Sequence, residues 1–447
     1  MLLALLVVIV LYIPYAARLP DTLGPPGVNV LTVFFVAALC MRLGQKDPVK
    51  RHAPYKRRFV FFIACLVFSW LIATLRGDGD VLEDLTYLKN YIFYLFLFFL
   101  YFHSVRTKAS ARLVVGAILA VALLGMLQAI RQGLDYGIGS FGWTHRASGP
   151  FAVNWTEANR AGVYFAMFTP AFLAIALYYK GHKWLRLGAA AAVPAGLFAI
   201  FVTYSRQSYV IVALVMLLLL ARKSWIILPI ALVPIVTFEA WAPSAAIERM
   251  EMTYQEKAEG APEAAAGDSQ YDISTESRWI LWGGALRMVQ EKPWGIGLIR
   301  FHRDISKYTQ FSLDAHNGYV LTVAESGIQG LVALLALMFA MVQLGWSVVS
   351  RPSDSETLTI GMIFLAATAG ILLGNLYGSP FYYGNLMGDY WALAGVVARY
   401  ALLARDGAPD AAPLRTDSKG RLRFRHGAEG IRGTLPAGRA VTTHSHA

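Results

Sequence analysis

An all-α membrane protein of about twelve transmembrane helices is what this sequence predicts, on three observations. Apolar residues make up 56% of the 447 and charged residues only 15%, against about a quarter charged in a soluble domain. The apolar residues fall in repeated blocks of roughly twenty, the length a helix needs to cross the hydrocarbon core. Lysines and arginines collect in alternate connections between those blocks, the asymmetry that orients a polytopic protein.

The blocks follow one another along the chain. Spans are expected near Leu2 to Tyr15, Val28 to Met41, Phe59 to Leu75, Leu85 to His103 and Leu113 to Ile130. Further spans are expected near Gly162 to Tyr179, Trp184 to Tyr204, Tyr209 to Leu220 and Trp225 to Ala240, and the last three near Tyr319 to Trp346, Leu358 to Leu376 and Met387 to Leu403. The first block lacks a positive leading region, and Ala16-Ala17-Arg18 is a poor small-residue cleavage site, so it reads as a retained helix. Cys40 and Cys65 both fall inside apolar blocks and imply neither a disulfide framework nor a metal site.

Orientation follows from the short connections. Arg42, Lys46, Lys50, Arg51, Lys56, Arg57 and Arg58 crowd the second, and Arg106, Lys108 and Arg112 fill the fourth. Lys180, Lys183 and Arg186 fill the sixth, and Arg222 and Lys223 the eighth. All of these, with the basic tail after Leu403, fall on one side if the chain threads back and forth with both termini inside. The net charge of +12 is thus mostly a topology signal. A nucleic-acid binder would instead interleave its basic residues with aromatics in a soluble domain. The chain divides into a membrane domain, residues 1–405, and a tail, residues 406–447. That tail is rich in Gly, Ala, Pro and charge, a composition expected to be disordered.

Two outer loops are long, one from about Arg131 to Arg160, the other within residues 241–318 between the ninth and tenth spans. Loops beyond about fifteen residues are usually functional or disordered. Lys257 to Asp272 is expected to be mobile. Beyond it, Trp279, Trp282, Leu286 and Val289 recur at helical spacing, with Arg278, Arg287 and Glu291 on other positions, which suggests a helix in the membrane interface. Pro293-Trp294-Gly295-Ile296-Gly297 breaks that helix. Arginines recur at outer junctions against the positive-inside bias: Arg146, Arg160, and Arg206 in the tight turn Tyr204 to Ser208. Guanidinium binds phosphate in bidentate fashion, so an anionic substrate accounts for them, although a lone arginine can also snorkel to headgroup phosphates. Glu325 and Asp389 lie within spans, where acids face a cavity or a partner; Lys89 is one candidate partner for Glu325.

The most informative pattern is His316-Asn317, followed after nine residues by Gly327 and Gly330 in G-x-x-G spacing. It holds an imidazole at a membrane face, where its proton is exchangeable near neutral pH. Asp314 is a candidate orienter. No His or Asp spacing on the outer face marks a metal site.

Together these residues resemble the O-antigen ligase and polymerase superfamily of bacterial inner-membrane glycosyltransferases. The resemblance rests on His316, Asn317, Gly327 and Gly330, on the Ser205-Arg206 turn, the Ser277-Arg278-Trp279 helix start, the Pro293 to Gly297 break and Arg146 to Gly149, and covers about Arg146 to Asp389. It implies a GT-C-type enzyme, without cofactor or metal, acting as a monomer among membrane lipids. The reaction implied is transfer of a glycan from undecaprenyl diphosphate to a hydroxyl of lipid A-core at the periplasmic face, with both termini cytoplasmic. His316 would be the base, with Arg206 and Arg278 as diphosphate clamps. Arg146, Arg160, Asn317 and Tyr319 would be substrate contacts. An O-antigen polymerase and a protein O-oligosaccharyltransferase share the motif and stay open as alternatives. A transporter would call for internal repeats and midplane charges, which the sequence does not show.

Overall fold

The structure is a computed structural model that describes residues 1–19, 28–45, 52–139, 141–251 and 273–405. The expected mobile stretch Lys257 to Asp272, the basic residues Lys46, Lys50 and Arg51, and the tail from 406 onward lie outside the described residues.

Every described regular element is helical. In chain order they are α1 (Leu2–Tyr12), α2 (Val30–Leu43), α3 (Lys56–Leu75), α4 (Val81–Ser104), α5 (Lys108–Tyr136), α6 (Ala158–Tyr178), α7 (Lys183–Val202) and α8 (Arg206–Lys223). There follow α9 (Leu228–Val236), α10 (Phe238–Trp241), α11 (Ser244–Glu251), α12 (Ile273–Glu291), α13 (Phe301–Asp304), α14 (Gly318–Val349), α15 (Ser355–Gly374) and α16 (Gly384–Arg405). Several starts are set by short polar side chains that accept from the first free amides. Asn29 caps α2, Asp80 caps α4, Thr107 caps α5 and Asp354 caps α15.

A helix stands at each of the twelve expected blocks, but seven of them are long and apolar enough to cross a membrane by length and composition: α3, α4, α5, α6 with the turn before it, α7, α14 and α15. Among the described residues there are thus seven such helices, where the sequence predicts about twelve spans. The helix at the ninth block differs most from expectation. Pro229 and Pro234 confine α9 to nine residues, about 14 Å of rise, and the chain turns at Thr237 into the four-residue α10.

The bundle is held by close approach of small residues, the packing mode available where lipid is as apolar as a side chain. Helix α6 is buried along nearly its whole length among α7, α8 and α15, and α16 packs on α4 and α5. Gly196 lies against Thr169, Gly370 against Met167 and Gly395 against the backbone of Phe98.

The contacts sort the helix ends into two sets. At one end, Arg42 reaches the carbonyl of His103, Arg112 pairs with Glu356, Arg399 reaches Val105 and Lys223 reaches Leu177. The described basic connections therefore gather together, as the charge pattern predicts. At the other end, Arg18 bonds Pro150, Arg76 reaches the carbonyl of Ile296, Arg146 bonds Thr203 and Ser379 bonds Asp314. The candidate site lies at this second end.

Candidate functional site

The glycine motif proves to be a break in α14. Gly327 takes φ 73° and ψ −178°, a conformation in which an L side chain is strained. The break frees carbonyls of α14, and the Pro293 to Gly297 segment docks into it. Ile296 N–H donates to Ala324 O at 3.0 Å, Gly297 N–H to Glu325 O at 3.1 Å, and Ile328 N–H returns to Pro293 O at 3.0 Å. Ser69 on α3 adds its hydroxyl to Glu325 O at 2.9 Å, and Leu298 N–H donates to Ser69 O at 3.1 Å. The two sequence features, G-x-x-G and the Pro-Trp-Gly break, are thus two halves of one junction.

An ion network ties the same junction to α3 and α4. Arg300 forks onto the buried Asp84 and also meets Asp78 at 2.9 Å. Arg76 bridges Asp78 at 2.8 Å and Asp304 at 2.7 Å. Burial alone would push the Asp304 carboxyl up, but bonds to Arg76 and Lys307 outweigh it and hold the acid below the usual carboxylate range.

The chain from this junction leads to His316. Its φ is 47°, in the left-handed region that non-glycine residues seldom enter. The next residue, Asn317, caps α14 by accepting from Tyr319 N–H at 3.0 Å and Val320 N–H at 3.1 Å, and its own amide donates to Leu376 O. Gly318 N–H is shared between the carbonyls of Asn375 and Gly378, at 2.9 and 2.8 Å. Tyr319 donates its hydroxyl to Leu372 O. The imidazole is half-buried. Burial, then the positive charge of Arg278, pull its pKa below the usual histidine value, and Asp314 partly opposes them. At neutral pH the ring is therefore mostly unprotonated and able to accept a proton.

The loop 375–383 between α15 and α16 is the hub that sequence reasoning missed. It receives Asn317 and Gly318, and Ser379 donates to Asp314 at 3.2 Å. Tyr377 lies with its ring centroid 5.5 Å from the Arg278 guanidinium and 6.0 Å from the ring of Trp282. Gln207, beside Arg206, lies against Gly378. One loop thereby brings the starts of α8 and α14 and the middle of α12 to a common place. Its only signal in the sequence is three tyrosines, Tyr377, Tyr382 and Tyr383, among Gly378, Pro380 and Gly384.

The arginines occupy different settings. Arg278 is on α12 and Arg206 is the first residue of α8, just after Tyr204 at φ 48°. Arg146 is buried, with Nε donating to Thr203 O at 3.0 Å and Nη2 to Asn159 at 2.5 Å. Burial pushes its pKa down to about 10, with Tyr209 opposing and Arg206 reinforcing, so it stays charged at neutral pH. Its guanidinium bonds join the 146–151 segment to the turn that carries Arg206. Arg160 pairs with Glu157 at 2.7 Å and lies 3.5 Å from the centroid of the Tyr383 ring.

One expectation about this segment is corrected. Helix α12 begins at Ile273, so Ser277-Arg278-Trp279 is inside it and not its start. Its buried face is Leu281, Ala285 and Met288, packed on Ile296, Phe301, Ile305 and Ala315, while Trp279 and Leu286 are exposed. Trp282, partly buried, is anchored by its polar edge, which donates to Ala315 O at 2.8 Å. The structure also gives Glu325 backbone partners, the amides of Phe301 and Ile299, in place of Lys89, which lies over the ring of Phe93. Asp389 accepts from the Tyr164 hydroxyl at 2.7 Å.

Asp314, two residues before His316, lines a cavity of about 560 Å³ whose walls also include Arg160, Glu325, Tyr382 and Tyr383.

The family model described as O-antigen ligase matches residues 190–335, about a third of the chain, which holds Arg206, Arg278, His316 and the break at Gly327. No curated protein matches the chain. The chain is thus similar to that family over those residues, and seven helices among the described residues are long and apolar enough to cross a membrane.

Proposed function

We propose that this chain, a member of the O-antigen ligase family on its match to residues 190–335, transfers a glycan from undecaprenyl diphosphate to a sugar hydroxyl of lipid A-core. The reaction takes place at the periplasmic face of a bacterial inner membrane, with both termini cytoplasmic. The observation that carries the reading is the half-buried imidazole of His316, its pKa lowered by burial and by Arg278, at a helix start that the 375–383 loop joins to Arg278 and to Gln207 beside Arg206.

A sugar hydroxyl is a weak nucleophile at neutral pH. His316 accepts its proton as the hydroxyl oxygen bonds to the anomeric carbon. The bond from that carbon to the phosphate oxygen breaks on the opposite face, and undecaprenyl diphosphate departs with the electron pair. One displacement inverts the anomeric centre. Charge grows on the leaving diphosphate, and Arg206 and Arg278 stabilise it with preorganised guanidinium forks. Arg146 acts one step back by fixing the turn that presents Arg206. Asn317 and Tyr319 set the backbone of the base through their bonds to the 372–376 region.

Replacing His316 by Ala tests this. Transfer by the purified protein should fall about 10²–10⁴-fold, while donor binding and thermal midpoint stay at wild-type values. A variant transferring at near wild-type rate would remove the base. A gene deletion separates ligase from polymerase: bare core with accumulated lipid-linked chains is expected, whereas core capped by a single repeat unit would overturn the ligase assignment.

A further inference from the structure

The cavity lined by Asp314 differs in chemistry from the cluster of arginines. One wall is a single face of α4, where Tyr87, Asn90, Tyr91 and Tyr94 recur at helical spacing. The facing wall is the end of the 375–383 loop with the start of α16, contributing Tyr382 and Asn385. Tyr91 and Tyr382 touch where the two walls meet, with ring centroids 4.8 Å apart, and the Tyr382 hydroxyl bonds Thr322 at 2.5 Å. Asp314 and Glu325 bring two carboxyl groups. Arg160 is the lining arginine, and it is already engaged by Glu157 and Tyr383. Arg206, Arg278 and Arg146 are not among the walls.

Aromatic rings offer flat apolar faces to the C–H faces of a sugar, and side-chain amides and carboxyls can each meet a hydroxyl. Its volume lies within the range of about 300–1,000 Å³ usual for small-molecule sites. A diphosphate needs the reverse, a cluster of cations with no carboxylate nearby. In-line displacement sets the nucleophile and the leaving group on opposite faces of the anomeric carbon. His316 feels the charge of both environments, that of Arg278 and that of Asp314, which lines the cavity.

We infer that this cavity is the acceptor subsite: it takes the terminal, uncharged, hydroxyl-rich sugar of the acceptor, and Asn90 and Asn385 determine which sugar is accepted. The inference rests on the glycosyl-transfer reading above and adds the location of its second substrate. The α4 and α16 walls lie outside residues 190–335, so the part of the molecule that selects the acceptor is separate from the part that the family match covers.

The test uses the full chain in detergent with Asn90→Ala and Asn385→Ala, and Asn90→Gln as the conservative variant should alanine compromise folding. Initial rates are measured against lipid A-core and against a polyprenyl-diphosphate glycan in turn. The KM for lipid A-core should rise about tenfold, the loss expected from one hydrogen bond, with the donor KM and the kcat at saturating acceptor unchanged. Calorimetric binding of the water-soluble oligosaccharide cut from lipid A-core, titrated into His316→Ala protein, should weaken by the same factor. A rise in donor KM, or unchanged kinetics in folded alanine variants, overturns the inference. If wild-type protein transfers nothing, the binding arm still decides. Oligosaccharide binding that is lost in Asn385→Ala supports the subsite although the transfer reading fails, and no binding overturns the subsite.

Discussion

Substituting Gly327 by Ala is the sharpest probe of how this site is built. At φ 73° and ψ −178° a methyl group is strained, at a cost of about 1–3 kcal/mol. The added Cβ would also stand 2.5 Å from the carbonyl oxygen of Trp294 and 2.7 Å from the Gln329 side chain. The docked segment must then retreat. Its retreat breaks the bonds Ile296 to Ala324, Gly297 to Glu325 and Ile328 to Pro293, worth about 1 kcal/mol each. Together the loss is about 4–6 kcal/mol, which at about 2 cal/mol/K of unfolding entropy per residue lowers the thermal midpoint by about 5 °C or more. Because Trp282 on α12 is anchored to Ala315, one residue from His316, a shift of the outer segment carries the base with it. A misplacement of about 1 Å costs roughly 10²-fold in rate. The assay is differential scanning fluorimetry of the detergent-solubilised protein alongside initial transfer rates. Gly283→Ala is the control: it is helical, with open space around its Cβ, and should leave both readings unchanged. Wild-type midpoint and rate in Gly327→Ala would refute the claim that the docked segment positions the base.

Other outcomes follow from the charges. Transfer should decline as pH falls through the lowered pKa of His316, because protonation removes the base; Arg278→Gln lifts one of the two causes that hold it down, so the acid limb of kcat should move to higher pH. An acid limb that stays in place would show that Arg278 does not act on the ring. Arg206→Lys keeps the charge and loses the fork, so donor KM should rise about tenfold or more with the pH profile unmoved; an unchanged donor KM counts against bidentate recognition. Arg300→Ala leaves Asp84 buried without its partner and should destabilise the protein by about 3–5 kcal/mol, read as the midpoint in denaturant or heat. A loss below about 1 kcal/mol would mean water already reaches Asp84.

The helices were legible because a membrane span is a long local pattern. Each of the twelve apolar blocks carries a helix, and α3, α4 and α14 begin or end within a few residues of expectation. The ninth was not, because Pro229 and Pro234 act on backbone geometry while leaving the apolar composition intact. The histidine motif and its arginines were legible as residues, and their settings were not. Arg146 counts as an outer-side cation in the sequence, yet its bonds go to Thr203 and Asn159, a fact that exists only once α6 and α7 are packed. The 375–383 loop was missed for the same reason: Tyr377, Ser379 and Gly378 gain their meaning from Arg278, Asp314 and Gln207, at distant places in the chain.

The docking of residues 293–297 into the break of α14 also bears on how such a protein can evolve. The register of His316 is set downstream of Glu251 and Ile273, by bonds that pin the chain twenty residues before the base and again in the first turns of the helix after it. A substitution at either pin moves the imidazole, so a lineage that keeps the reacting group in place must keep both the Gly-rich break and the segment that fills it.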